Sequence, residues 1–271
     1  MSETAPRATP HRNRDAVLPW LTTPLLLLVL VVAWKAYVDS SGISGFILPS
    51  PAAVWQSWID LLASPRGWGH TWTTAYETSL GFFWGLVIGV GLGVLIGHFR
   101  WLELTLNPFI VGLQVVPKVA FVPLFVVWFG FGSTSKVVVA AVLAFFPILS
   151  NTVLGVKSID AGHRDVMTSL NASRPDLFLR LELPSSLPYI LTGMEVGIVL
   201  AIIGTIVGEY LGGNDGLGYL LISRMNAFET AGLFAVMIHM TLLGFVFYFA
   251  IGLLRRALIP WHRSAGLDFE G

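Results

Sequence analysis

The sequence predicts an all-α polytopic membrane protein with six transmembrane helices. Of its 271 residues 55% are hydrophobic and only 12% are charged, and mean hydropathy is +0.74, too apolar for a soluble domain of this length. Apolar runs of about 20 residues, the length needed to cross a bilayer, recur along the chain. Formal net charge is zero, which leaves no global basic character for nucleic-acid binding, so the placement of the charges carries the information. Cysteine is absent, which excludes disulfides, thiolate metal sites and cysteine nucleophiles.

The spans are read at Leu18 to Val38, Thr78 to His98, Leu104 to Phe131, Lys136 to Val156, Pro188 to Gly212 and Thr230 to Leu254. The first is too long for a signal-peptide core and lacks a small-residue cleavage pattern, so it is read as a retained helix. Residues 1–16 are polar and expected to be disordered, 17–260 form the membrane domain, and 261–271 form a tail. Between the first two spans, Pro49-Ser50-Pro51 starts a short helix, Ala52 to Leu62, expected to show Trp55, Trp58 and Ile59 on one interfacial side. The third span carries Pro117, Lys118 and Pro123. An interior proline removes a hydrogen bond and clashes with the preceding turn, so this span is expected to be kinked or broken.

Gly81, Gly85, Gly89, Gly93 and Gly97 recur every four residues in the second span. They leave one helix face without side chains, open to close approach by a helix of the same chain or of another subunit. The fifth span repeats the device with Gly193, Gly197, Gly204, Gly208 and Gly212. Tryptophans near span ends, such as Trp34 and Trp101, fit interfacial anchoring.

With six spans both termini share a side. Arg7, Arg12, Arg14, Arg100, Lys157, Arg164, Arg174, Arg180, Arg255, Arg256 and Arg263 lie on it, against Arg66, Lys136 and Arg224 on the other. The positive-inside rule makes the termini cytoplasmic. The same assignment puts the polar segment 158–184, between spans four and five, in the cytoplasm, where a soluble partner can reach it. Pro175 suits the first turn of a helix, Ser173 can cap it, and Leu177, Phe178 and Leu181 offer an apolar side. Two short helices with a break near Ser173 are expected; taken alone, an amphipathic loop on the headgroups fits equally.

Leu170-Asn171-Ala172-Ser173-Arg174 followed by Leu183-Pro184 resembles, in order and spacing, the EAA loop of permease subunits in type I ATP-binding cassette importers. Asp165-Val166-Met167 stands where Glu-Ala-Ala is usual, and Asn171 replaces a glycine; Asn is the next best residue for a left-handed turn. The resemblance extends through Leu48-Pro49-Ser50-Pro51, Pro117-Lys118-Val119-Ala120, Trp128-Phe129-Gly130-Phe131-Gly132, Gly208-Glu209 and Gly216-Leu217-Gly218-Tyr219. Together these look like the branch importing taurine, alkanesulfonates, nitrate and some pyrimidine or aromatic compounds.

The resemblance implies the type I importer permease fold, with coupling helices between spans four and five. It also implies a multi-pass inner-membrane protein that pairs with a second copy of itself, two ATPase subunits and an extracytoplasmic substrate-binding protein. Asp165, Leu170, Asn171, Ala172, Ser173, Arg174, Phe178, Leu183 and Pro184 are the residues it places at the ATPase. The chain has no Gly-x-x-x-x-Gly-Lys-Ser/Thr phosphate loop, so it is expected to be no enzyme itself, with ATP and Mg bound by the partner.

A charge at mid-membrane costs about 2.5 to 3.5 kcal/mol on insertion scales, which singles out Lys118, Glu195 and Glu209 as candidates for the translocation pathway or for structural pairing. Glu195 and Glu209 are about 21 Å apart along a helix and within about 40° of one face, so both are expected to look toward one side, a candidate cavity. His239 is read as a hydrogen-bonded packing residue, and Gly216 to Tyr219 as a short re-entrant or surface helix, or a plain turn, between spans five and six. A gradient-driven secondary transporter is the alternative function; it calls for inverted repeats and paired broken helices, and one broken span without a repeat argues against it. An integral-membrane enzyme would need a cluster of His, Asp, Glu or Ser side chains that the sequence does not offer.

Overall fold

The structure is a computed structural model that describes residues 14–260, with side chains from residue 22 onward. The tail 261–271, with Arg263, and most of the polar start, with Arg7 and Arg12, lie outside the described residues. Among the described residues every regular element of the chain is a helix. Its elements are α1 (Arg14–Ser41), α2 (Pro51–Ala63), α3 (Pro65–His98), α4 (Arg100–Val115), α5 (Val122–Phe129), α6 (Ser133–Lys157), α7 (Ala161–Ser169), α8 (Arg174–Leu177), α9 (Leu183–Gly212), α10 (Leu217–Asn226) and α11 (Thr230–Leu258).

Five helical segments are long and apolar enough to cross a membrane, and α4 with the stretch Lys118–Phe129 makes a sixth candidate bent by 81°. The bend falls where the prolines place it. Val116 precedes Pro117 and is extended at φ −62°, ψ 130°, because a proline ring clashes with an α-helical residue before it. A single 3-10 turn, Lys118–Phe121, then leads into α5, which takes Pro123 in its first turn, where no N–H is missed.

The glycine stripes decide the packing, and they act within the chain. A Cβ on Gly81 would lie 2.4 Å from the Ala140 Cβ, and one on Gly93 would lie 2.5 Å from the Thr152 Cβ, so α3 meets α6 backbone to backbone. From the other side, a Cβ on Gly204 would come within 3.1 Å of the Ala140 Cα, and one on Gly193 within 3.1 Å of the Ile148 Cα. Helix α6 is thus held between two small-residue faces, with Ala140, Ala144 and Ile148 wholly buried. Since lipid tails are as apolar as leucine, this close fit supplies the dispersion contacts that association in a bilayer relies on.

A second apolar cluster joins α2, α10 and α11 through Leu61, Leu217, Leu220, Val236 and Met240. Helix α2 is capped as its sequence suggests, Ser50 Oγ accepting from the Ala53 N–H at 3.3 Å. Its expected outer side is altered: Trp55 and Ile59 are exposed, but Trp58 turns inward against that cluster. The segment after Gly216 is a helix, α10, as one of the expected forms had it. Helix α1 leaves its apolar run Leu25 to Val32 exposed throughout and meets α11 at Trp34, whose ring lies 6.0 Å from that of Phe234.

Candidate functional site

The loop between α6 and α9 opens with Asp160, whose carboxylate accepts from the Gly162 N–H at 2.6 Å and caps α7. Helix α7 ends at Ser169 with Leu170 as its C-cap, and Asn171 takes the left-handed conformation at φ 55°, the backbone position for which an Asn is tolerated in place of a Gly. The chain then turns at Ala172 and Ser173. The Asp176 N–H donates to Ser173 Oγ at 3.3 Å while the Ser173 hydroxyl donates to the Asp176 carboxylate. That hydroxyl bond, with Arg180 beside it at 3.2 Å, holds the Asp176 carboxyl below the usual carboxylate range.

The expected second helix of the loop is not a separate element. Helix α8 passes through a π turn, Phe178–Glu182, directly into α9, with Pro184 in the first turn of the latter. The loop's second arm is therefore the lower end of span five. Leu177, Phe178 and Leu181 are half-buried against the chain, as expected, and the Phe178 ring lies 6.5 Å from the His98 ring. Ala172, Leu183 and Pro184 are half-buried too, whereas Asp165, Ser173 and Arg174 are exposed. The apolar side chains left without cover are Leu170 at 73% exposure, Leu179 at 60% and Val166 at 59%. Sequence reasoning singled out Leu170 but missed Val166 and Leu179.

Glu195 and Glu209 lie on α9 as expected but do not share an outlook. Glu195 receives Arg255 of α11, whose guanidinium nitrogen lies 2.9 Å from each carboxylate oxygen. Glu209 is 1% exposed. It accepts from the Thr74 hydroxyl at 2.7 Å and from the Gly218 N–H at 2.7 Å, while Thr74 Oγ1 accepts from the Leu217 N–H at 2.8 Å. The carboxylate thus caps the N-terminus of α10, where unsatisfied N–H groups and the helix dipole favour an anion. Gly216, at φ 98°, donates its N–H to His70 Nδ1 at 3.1 Å, and a Cβ there would collide with the Glu209 carboxyl group. Glu209 and the Gly216-Leu217-Gly218 motif are one unit.

Lys118 sits in the exposed bend between α4 and α5. Its ammonium donates to the Gln114 carbonyl at 3.1 Å and lies 4.6 Å from the centroid of the Phe146 ring, a cation over an aromatic face. It meets neither Glu195 nor Glu209. His239 accepts the packing role expected of it, with Nε2 2.9 Å from Thr71 Oγ1 and its ring edge-on to Trp68.

Three buried charges escaped the sequence reading. Lys136, counted there among residues flanking the membrane, is 2% exposed. It donates to Gly132 O at 2.9 Å, to Gly212 O at 2.8 Å and to Phe131 O, tying the start of α6 to the last carbonyl of α9, the helix end that favours a cation. Glu77, also buried, lies one residue before the expected start of span two, in a helix that begins at Pro65 instead. An acid flanked by apolar turns was the available signal. On the side of the loop, the buried Glu182 lies 2.6 Å from His98 and 3.2 Å from Arg164.

A family model described as the binding-protein-dependent transport system inner membrane component matches residues 81–263. The riboflavin transport system permease protein of Chloroflexus aurantiacus is 39% identical over 91% of this chain and 92% of its own length. The formylaminopyrimidine transport permease protein of Halalkalibacterium halodurans is 37% identical over 90% of this chain and 97% of its own. A putative aliphatic sulfonates transport permease protein of Bacillus subtilis is 32% identical over 96% and 93%. Among solved structures, the inward-facing MetNI methionine ABC transporter matches 72% of this chain and 98% of its own chain with a TM-score of 0.62, at 20% identity, a likeness of fold. A bent third span, two glycine stripes around α6 and a helix-turn-helix loop before span five thus belong to a chain whose sequence matches one family along most of its length, and the protein is a member of the binding-protein-dependent transport system inner membrane components, the permease subunits of ABC importers.

Proposed function

We propose that this chain forms the translocation pathway of an ATP-driven importer and that the loop 158–184 is its docking element for a separate ATPase. The observation that carries this reading is the exposed apolar trio Val166, Leu170 and Leu179, on a loop whose other large apolar side chains are half-buried against the chain. Uncovered apolar side chains on a soluble segment call for a partner surface. Asp165, Asn171, Ala172, Ser173 and Arg174 frame that contact; Phe178, Leu183 and Pro184 hold the loop to span five. ATP and Mg are bound by the ATPase, whose closure tilts the spans through this loop, since a shift between two states needs differential contacts in each.

The same reading makes the loop side cytoplasmic together with both termini, places a second copy of the chain beside the first, and puts a substrate-binding protein on the opposite face. The long exposed apolar faces of α1 and α4 suit lipid or that second copy. The solute is small and anionic or heteroaromatic: sulfonate, nitrate, aromatic carboxylate or pyrimidine-precursor in class. Two relatives above 35% identity are named for riboflavin and formylaminopyrimidine, which favours the heteroaromatic end. Lys118 over Phe146 presents a cation and a ring together at the bend, chemistry that suits such a solute; Glu195 and Glu209 serve the pathway by fixing its walls.

Uptake into vesicles supplied with ATP, competed by riboflavin, a pyrimidine, nitrate and an aliphatic sulfonate, tests the solute class. Competition by a flavin or pyrimidine is the expected result. Competition by nitrate or sulfonate alone contradicts it, and uptake abolished by an ionophore but indifferent to ATP returns the gradient-driven carrier.

A further inference from the structure

Helix α7 has no fully buried residue, only Arg164 and Met167 being half-buried, so apolar packing fastens it weakly to the spans. What reaches it from the membrane domain is an ion pair. Arg164 on α7 lies 3.2 Å from Glu182, whose side chain is 6% exposed, and Glu182 in turn lies 2.6 Å from His98 at the end of α3. His98 Nδ1 is 2.8 Å from the Val94 carbonyl. The Val94 carbonyl and the Glu182 carboxylate are both acceptors, and the His98 ring sets one nitrogen against each. Glu182 therefore bridges two basic side chains carried by two different helices.

The backbone places it there. Glu182 closes the π turn, in which the Leu183 N–H reaches back five residues to the Phe178 carbonyl. One extra residue in a turn rotates the chain around the helix axis by about 100° relative to an uninterrupted α-helix. That register brings the Glu182 carboxylate inward, between α3 and α7, where a buried charge is tolerated only when paired.

We propose that Glu182 is a positioning residue that ties α7 to the ends of α3 and α9, so that a displacement of α7 moves both spans together. The proposal rests on the reading of this loop as the ATPase docking element. Without the bridge, α7 remains joined to span five through the left-handed turn at Asn171 and to span four through its other end. Movement imposed on it is then taken up in those turns rather than delivered to the helices.

The test uses the full complex, this chain with its ATPase and binding protein, in proteoliposomes, and reads ATP hydrolysed and solute moved in the same sample. In Glu182→Gln and in Arg164→Gln the ATPase is expected to copurify in its normal ratio and keep hydrolysing ATP. Uptake is expected to fall about ten-fold, and the double variant to be no worse than either single, the non-additivity of two groups in one link. Arg164→Lys, which keeps the charge at a half-buried position, is expected to recover most of the uptake; Arg164→Gln supplies the answer should Glu182→Gln fold poorly. Wild-type uptake per ATP in Arg164→Gln with the complex intact, or losses that simply add, would overturn the proposal. An unaltered chain that brings down no ATPase overturns instead the docking reading beneath it, a different result in a different lane.

Discussion

Glu209 shows how a buried acid can be structural and still mark a motif. Its carboxylate satisfies Thr74 and the first turn of α10 at once, so removing it leaves the buried Gly218 N–H without an acceptor and the Thr74 hydroxyl with the longer bond to the His70 carbonyl at 3.2 Å. Glu209→Ala is expected to lower stability by about 1–3 kcal/mol, seen as a drop in the thermal unfolding midpoint in detergent. Thr74→Val should have a smaller effect, and the pair should cost less than the sum. The Glu195–Arg255 pair gives a complementary expectation. Arg255→Leu strands a carboxylate and should destabilise more than Arg255→Leu combined with Glu195→Leu, because replacing both ions by apolar groups removes the unpaired charge; equal losses in the two would contradict it. Lys118→Ala leaves no buried charge behind, so it should change uptake without changing assembly, and unchanged uptake would return Lys118 to a structural role. The sequence made these residues visible as intramembrane charges but not their partners. Arg255 was legible only as a basic residue at a span end, and Lys136 only as a flank, because which helix lies beside which is a tertiary fact that hydropathy does not carry.

Among the elements, the stripes and the breaks had different visibility for physical reasons. A four-residue glycine repeat fixes a bare face from sequence alone, but whether α6 or another subunit fills it depends on packing. The structure fills it with Ala140, Ala144, Ile148 and Thr152. Gly93→Val, whose Cβ would meet Thr152 at 2.5 Å, is therefore expected to reduce folded yield sharply, overpacking of this kind costing about 1–3 kcal/mol. Gly91→Val, with nothing within 4 Å, should be recovered at the normal level, and comparing the two by size-exclusion profile checks the assignment. The break at Pro117 was legible because its cause is local. The fusion of α8 with α9 was not, since Leu183-Pro184 reads as a boundary, and only the π turn before it keeps the helix continuous. At Asn171 the positive φ makes a sharper prediction. Asn171→Gly should preserve uptake, while Asn171→Val, strained by about 1–2 kcal/mol in the left-handed region, should lower it with the chain still inserted.

At the scale of the whole molecule, six apolar segments, one of them broken, and a polar loop before the fifth were all readable from composition and length, because the bilayer imposes both. Leu170, exposed on that loop, is where the account is most exposed to test. Leu170→Asp places a carboxylate on the apolar contact without disturbing anything buried, so insertion and folding should be normal and ATP-driven uptake lost. The most direct measurement is purification of the tagged chain from its native membranes in mild detergent, wild type and Leu170→Asp side by side, with copurifying subunits identified and ATP hydrolysis assayed. The account predicts an ATPase recovered in equal copy number with the wild-type chain and absent from the variant. Recovery of the wild-type chain alone, repeated after crosslinking, would contradict it.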